Sequence, residues 1–458
     1  MANGPIERLA GVVGAEHVRT GDAIKDDDGH DEALTAQAQR PLAVVAPAST
    51  EQVAAVVRLA NEHRVPVTAR GAGTGMSGGC IPRPDGIVVS FERMSRIVEI
   101  DTDNFVAVVE PGVQLDQLDA ELAPLGLVYP VHPGEYSASL GGNVGTNAGG
   151  MRAVKYGVTR HHVLGLEAVL PSGEVIHCGG KIVKVSTGYD LTQLIIGSEG
   201  TLALVTKAYL KLHPRAPHQA SVLAPFTTLE AVTGAVPRIL ASGVGPLILE
   251  YIDMLTMAAA TAYVGIDLGI PDEVREAAFA YLVVALESSH ADRLDADTHA
   301  VSEQLSELGA IDVYVLPPGA AASLIDAREK AFWVAKANRA DDIIDVVVPR
   351  AAVPAFMTRV GELAAEHQAW IAGCGHAGDG NVHMGVFQGD PEVRRRLLRA
   401  LFEAGMELGG AISGEHGLGT EKKPYFMELE DPAKIALMRR IKAAFDPNGI
   451  LNPGTVFD

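Results

Sequence analysis

The sequence predicts an α+β protein of two domains. At 458 residues the chain exceeds what one ordinary domain core accommodates. In its first part short strands enclose two dense glycine runs, whereas beyond Pro217 long helices rich in Ala, Leu and Glu are separated by apolar strands. Helices interrupted by such strands suggest layers of helix on an antiparallel sheet. Pro214 and Pro217 bracket the change of composition, so the units are set at residues 1–216 and 217–444.

Hydrophobic residues at 47% and charged residues at 21% fit a globular protein with a sizeable core. A net charge of −20 with no basic face argues against a nucleic-acid partner. The basic cluster Arg394-Arg395-Arg396 lies in a helical pattern and reads as a solvated face. Cys80, Cys178 and Cys374 are too scattered for a disulfide framework or a thiolate metal site, which fits a reducing cytosol. Met1 to Pro5 lacks the basic and apolar regions of a signal peptide. No apolar run reaches the ~18 residues of a membrane span, although docking on a membrane-bound partner stays open.

Residues up to about Arg40 are weakly patterned, with Asp26-Asp27-Asp28 read as a solvated loop. Order begins with a strand at Leu42–Pro47. Ser49 and Gln52 then have capping-box spacing, and Val53, Val56, Val57 and Ala60 recur at helical period. Strands follow at Val65–Ala69, Gly86–Ser90, Ile97–Ile100 and Phe105–Glu110. A helical pattern carries Leu115, Leu118 and Leu122, and a hairpin spans Val163 to His177, turning at Pro171-Ser172-Gly173. In the second unit, Tyr281–Glu287, Ile343–Val348 and Val382–Phe387 read as strands.

The first glycine run, Arg70 to Gly79, contains G-x-G-x-x-G at Gly73, Gly75 and Gly78. A dinucleotide fingerprint of the Rossmann kind requires these glycines to open a long helix. Pro82, Pro84 and Gly86 forbid one here, and no Gly-Lys-Ser/Thr ends the loop as a Walker motif would. What remains is either a glycine-rich surface loop or a nest of backbone N–H groups suited to a pyrophosphate. The second run, Pro133 to Gly150, is equally dense and also adjoins strands. Two such runs suggest two walls closing on one extended ligand, because small residues let backbone donors approach closely.

Gly375 to His383, G-H-A-G-D-G-N-V-H, puts one imidazole just before the turn Asp379-Gly380-Asn381 and another just after it. Imidazoles and carboxylates together bind transition metals. Alone, the stretch reads equally well as a polar loop with solvated histidines. Ser413-Gly414-Glu415-His416-Gly417 repeats the same residue types, and the pair favours a site. Asp379 and Asn381 read foremost as turn residues, with support of the neighbouring ligands as the alternative.

These stretches occur in one order with Gly188-Tyr189-Asp190-Leu191, Gly197-Ser198-Glu199-Gly200-Thr201 and Asn452-Pro453-Gly454. Nearly the whole chain thereby resembles the FAD-linked D-2-hydroxy-acid dehydrogenases of the vanillyl-alcohol oxidase superfamily. Relatives there include the glycolate oxidase flavoprotein subunit, D-lactate dehydrogenase and D-2-hydroxyglutarate dehydrogenase. The resemblance implies an FAD-binding domain of two subdomains, completed by the C-terminal tail 445–458, and an α+β cap domain on an antiparallel sheet. Cofactor-binding residues carried over are Arg70, Gly71, Gly73, Thr74, Gly75, Met76 and Ser77 for the pyrophosphate. Pro133, Gly134, Ser139, Gly142, Asn143, Thr146, Asn147 and Gly149 would line the flavin, and Glu199, Gly200 and Asn452 would add further contacts. Members that attach FAD covalently use a histidine near the first loop. Thr74 stands there in this chain, implying non-covalent FAD.

By the same resemblance His376, His383 and Glu415 are ligands of a divalent transition metal, Zn foremost with Mn or Fe as alternatives. His416 is the base and Arg328 the carboxylate-binding arginine. A divalent ion on the substrate's hydroxyl and carboxylate lowers the hydroxyl pKa and fixes its pose. A histidine then takes the O–H proton while hydride leaves C2 for flavin N5. The implied substrate is a lactate- or glycolate-like D-2-hydroxy acid. The implied electron acceptor is a quinone, an electron-transfer flavoprotein or a partner subunit, with a homodimer among the assemblies left open and a location in the cytoplasm or at the membrane edge. Ile343 and Gly385 stand where hydroxyglutarate enzymes carry a lysine and an asparagine. That weakens the dicarboxylate alternative unless Lys336, Arg339 or Arg350 compensates. A glycolate oxidase-like subunit active only in a complex is a further alternative. A metal-dependent hydrolase is a remote one, since it leaves both glycine runs idle.

Overall fold

The computed structural model describes residues 5–457. Of the stretch read for a targeting signal, residues 1–4 lie outside the described residues. Four sheets organise the described chain. A four-stranded sheet runs Val18–Arg19, Ala43–Val45, Ile87–Ser90, Val67–Arg70, its last three strands parallel. Parallel strands covered on both faces carry continuous apolar runs, and Ala43–Val45 and Ile87–Ser90 are buried throughout. The helix Thr50–His63 covers one face. Its Ser49 side chain accepts from Gln52 N, as the capping spacing predicts, while Gln52 Oε1 accepts from Ala48 N at 2.7 Å.

A five-stranded antiparallel sheet follows, in the order Ile97–Asp101, Val106–Val109, Leu204–Lys211, Val163–Val169, Val175–Gly179. Leu204–Lys211 alternates buried and partly exposed residues, the pattern of a strand with one face on the core. A two-stranded pair, Leu127–Val128 with His213–Pro214, links onward.

The fourth sheet has seven strands, all paired antiparallel. Their spatial order is Tyr314–Leu316, His218–Phe226, Ala280–Ser288, Ile248–Asp253, Trp370–His376, Asn381–Phe387, Asp342–Val347. Its apolar face packs on Leu229–Ala241, Ala291–Glu307, Val353–Glu366 and Pro391–Glu407 through a core that includes Phe226 and Phe356. Near the C-terminus, Leu451 bridges Val67 of the first sheet.

Three local expectations change. The weakly patterned N-terminal stretch holds a helix, Pro5–Val13, with Leu9 and Val13 buried. The acidic triplet opens a 3-10 turn, Asp26–Gly29, in which Asp28 is buried and bound to Arg19 Nη2 at 2.8 Å. Inside the second glycine run, Leu140–Thr146 is helical despite three glycines. Ser139 caps its start, Asn147 ends it in the left-handed region at φ 56°, and burial of Leu140 and Val144 outweighs the poor propensity. Arg395 and Arg396 are exposed on the Pro391–Glu407 helix, as expected of a solvated face.

Candidate active site

The two glycine runs face each other. Ser139 Oγ accepts from Ala72 N and Gly142 N, both at 3.3 Å, and so touches both walls. A Cβ on Gly71 would fall 1.9 Å from that oxygen, so the approach needs glycine. Gly71, Gly73, Thr74, Gly75, Met76 and Ser77 line one side of the resulting cleft. Pro133, Ser139, Gly142, Asn143, Thr146 and Gly149 line the other, and Glu199 and Gly200 close it.

Some residues expected on the cofactor lie behind these walls. Arg70 is buried, its Nη1 donating to His30 O at 2.6 Å. Asn147 Oδ1 accepts from Arg160 N at 3.0 Å. Asn452 donates through Nδ2 to Gly79 O and Glu199 O, each at 2.8 Å, tying the tail to the first wall and to the residue that closes the cleft. Gly134 lines the neighbouring cavity instead. The Glu199 carboxylate accepts from Leu418 N and Gly419 N, each at 2.8 Å, and thereby holds the loop after His416 against the cleft. Asp31, from the weakly patterned N-terminal stretch, also lines the cleft. Its Oδ2 lacks a partner, and burial raises its carboxyl above the usual range.

A second cavity, about 420 Å³, adjoins the cleft and shares Met76, Pro133, Glu415 and His416 with it. Its polar end is built on the hairpin Trp370–His376/Asn381–Phe387, in which His376 pairs with Asn381 and Cys374 with His383. This register brings both imidazoles to one face, their ring centroids 4.7 Å apart. Each Nε2 lies 3.2 Å from Glu415 Oε1. Gly149 lets Glu415 reach the cofactor wall, for a Cβ there would lie 2.4 Å from Glu415 Oε2.

Glu250, on the neighbouring strand, has one carboxylate oxygen 2.6 Å from His376 Nδ1 and the other 2.7 Å from Arg328 Nη2. Burial opposes a charge on His376, but Glu250 and Glu415 together raise its pKa well above the ordinary value. The same histidines hold Glu415 well below the carboxylate range against its own burial. Arg328 Nη2 is engaged by Glu250, while its Nε remains a buried donor without an acceptor, in the wall of the cavity.

Asp345 organises the second motif. Fully buried, it accepts through Oδ2 from Ser413 Oγ at 2.6 Å and from the amides of Gly414, Glu415 and His416 at 3.1, 3.2 and 2.9 Å. Its Oδ1 accepts from Asn381 Nδ2 at 2.8 Å, so Asn381 braces the site while Asp379 caps the turn through Asn381 N. Burial raises the Asp345 pKa, but His416, Lys422 and His383 outweigh it and leave the group far below the usual range. Burial pushes His416 down to about 4, with Asp345 opposing from 3.8 Å.

Sequence reading missed Glu250 and Asp345 as site residues. The available signal was a lone carboxylate inside an apolar strand, Ile248-Leu249-Glu250-Tyr251 and Ile343-Ile344-Asp345-Val346, since a buried charge needs partners. Lys336, Arg339 and Arg350, considered for a distal carboxylate, do not line the cavity.

His376, His383 and Glu415 offer one ligand atom each within 4.8 Å of one another, and Asp345, His383 and His416 form a second such group. The first could hold a cation more readily, because Asp345 is already saturated with hydrogen bonds. His383 Nε2, 3.2 Å from Glu415 Oε1, has no other partner and belongs to that first group. For a large flat cofactor, the cleft supplies the close backbone approach that glycine alone allows.

The family described as "FAD binding domain" matches residues 41–179, and "FAD linked oxidases, C-terminal domain" matches residues 215–456. The chain is 60% identical to an uncharacterized FAD-linked oxidoreductase of Mycobacterium tuberculosis, covering 98% of each protein. It is 37% identical to a D-lactate dehydrogenase of Anaerostipes hadrus, covering 97% of this chain and 95% of the relative. Among solved structures, 4-ethylphenol oxidase from Gulosibacter chungangensis superposes with a TM-score of 0.79 over 99% of this chain and 96% of its own, at 21% identity, which speaks for the fold alone. The chain is thus an FAD-binding oxidoreductase and belongs to the FAD-linked D-2-hydroxy-acid dehydrogenase family, with the fold of the vanillyl-alcohol oxidase superfamily.

Proposed function

We propose that the chain oxidises a D-2-hydroxy acid to the corresponding 2-oxo acid. The observation that carries this reading is the junction of the glycine-walled cleft with the histidine cavity at Glu415 and His416. Arg328 in the cavity wall, steadied by Glu250 and with its Nε lacking an acceptor, suits a carboxylate, the group a guanidinium recognises best. The similarity to a D-lactate dehydrogenase supports the same substrate class.

The flavin supplies the two-electron acceptor. His376, His383 and Glu415 would hold a divalent cation, Zn by the donor set with Mn or Fe as alternatives, which supplies Lewis acidity to the substrate hydroxyl. Arg328 binds the substrate carboxylate, with Glu250 steadying both the guanidinium and His376. His416, kept neutral by burial, takes the hydroxyl proton, and the nearby Asp345 carboxylate stabilises the imidazolium that results. The loop Gly71–Gly79 contains no histidine, so FAD is held without a covalent bond. Residues 1–216 with 445–458 form the flavin unit in this reading, and 217–444 form the cap. Anaerobic D-lactate, glycolate or D-2-hydroxyglutarate should bleach the yellow protein, and acid should release its FAD. A flavin that no 2-hydroxy acid reduces sinks the proposal.

A second reading, a flavoprotein subunit that works within a complex, is favoured by one surface segment. Ile182, Val183, Val185 and Tyr189 all stand exposed there. Turnover by the isolated chain with an artificial acceptor counts against it.

A further inference from the structure

The active cavity is polar at one end only, and the sheet register makes it so. Asp345, His383 and Cys374 share a rung, since Asp345 pairs with His383 and His383 with Cys374. Two residues along each strand, on the same face, the next rung is Ile343, Gly385 and Ala372, and beyond it stand Phe387 and Trp370. The face that carries the imidazoles therefore turns apolar within one rung, ~7 Å, and stays so for the next. Those five residues line the cavity, as do Leu255 and Ala259 of the helix Met254–Val264 and Phe332 and Ala335 of Ala331–Ala337; Thr256 and Asn338 are the polar residues beside them, and Asn338 Nδ2 is committed to Val334 O at 2.8 Å.

No cation serves that end. Among the described residues lining the cavity, Arg328 is the only Lys or Arg, and it belongs to the polar end. Glu329 is already paired with His132 at 2.9 Å. A smaller cavity beyond Ile343 and Phe332 holds Arg394, Arg395 and Lys422, but each is engaged. Arg394 donates to Gln388 O at 2.9 Å, Arg395 pairs with Glu392 at 3.1 Å, and Lys422 lies 3.3 Å from Asp345. A second substrate carboxylate against the Ile343 rung would meet no cation, whereas a methyl group would leave most of that wall uncovered.

We propose that the site selects 2-hydroxy acids with a long hydrocarbon tail, of the size of the hexyl chain of 2-hydroxyoctanoate, over lactate and over 2-hydroxyglutarate. The inference rests on the oxidation of 2-hydroxy acids proposed above and adds the chemistry of the C2 substituent. Each methylene buried on that wall raises kcat/KM by about fourfold, the equivalent of ~0.8 kcal/mol per CH₂.

The test is anaerobic reduction of the FAD-loaded protein, followed at the flavin band, with D-2-hydroxyoctanoate, D-lactate and D-2-hydroxyglutarate. The expected result is a second-order rate constant at least ~100-fold higher for D-2-hydroxyoctanoate than for D-lactate, given several buried methylenes. Ile343→Lys should move preference toward D-2-hydroxyglutarate, with FAD content confirming that the variant is folded. Equal or better reduction by D-lactate, or by D-2-hydroxyglutarate, overturns the tail assignment and leaves the oxidation itself standing. If none of the three reduces the flavin, the oxidation fails. The tail site is then judged by binding of 2-oxooctanoate against pyruvate, read as perturbation of the flavin spectrum: tighter binding of the longer acid supports it, and equal binding overturns it.

Discussion

The glycine-walled cleft and the histidine cavity meet at Glu415 and His416, yet one is made of backbone and the other of buried side chains. In the cleft, shape depends on what is missing: a Cβ on Gly71 would strike Ser139, and one on Gly149 would strike Glu415. In the cavity, shape depends on charge. Glu250 orients His376 and Arg328, while Asp345 gathers three amides and a serine hydroxyl of the loop that carries Glu415 and His416. A backbone-built site announces itself locally in composition. A side-chain-built site draws its supports from strands far apart in sequence.

That contrast can be broken at either half. The largest expected effect is at the proposed base: His416→Gln should slow flavin reduction by substrate by ~10²–10⁴-fold. The absorption of bound FAD should be unchanged, and stopped-flow reduction alongside the visible spectrum checks both. Asp345→Ala strands the Lys422 ammonium and the loop amides in a buried position. It should destabilise the protein by ~3–5 kcal/mol in denaturant unfolding, with FAD content falling less than stability. Glu250→Gln preserves shape but removes the carboxylate behind His376, so affinity for a divalent ion should fall ~10–100-fold, measured by metal titration of chelator-treated protein. The smallest effect is expected in the cleft, where Gly71→Ala forces Ser139 aside at a cost of ~1–3 kcal/mol. It should appear as weaker FAD retention with the metal titration unaltered. Loss of metal binding in that variant would show that the two halves are not independently built.

Much of the fold was legible because its signals are local. The helix after Ser49 follows from capping residues and apolar period, the hairpin at Pro171-Ser172-Gly173 from turn chemistry, and the absence of a Rossmann helix from Pro82 and Pro84. The helix Leu140–Thr146 was not legible, since its glycines disfavour it and only burial of Leu140 and Val144 decides the matter. Within the site, the motifs around His376 and Glu415 stood out, and the structure brings their side chains within hydrogen-bonding distance. Arg70, Asn147 and Asn452 belong to the same recognisable stretches, but they brace the walls from behind. Which way a residue in a motif points depends on strand register and on what packs against it.

By itself the sequence singled out the residues of the candidate site: two imidazoles flanking a turn, a Glu-His pair between glycines, and two runs without side chains to obstruct a cofactor. Turn formation, capping and steric freedom act over a few residues, so they are written in the local order of the chain. Tertiary structure alone decided the supports and the shape of the substrate space. Glu250 and Asp345 become meaningful only when strand pairing sets them beside His376 and His416, and Ile343, Gly385 and Ala372 form one apolar rung only through that same register. Burial and pairing over long sequence separations set the charge of each group, and neither exists until the sheet has formed.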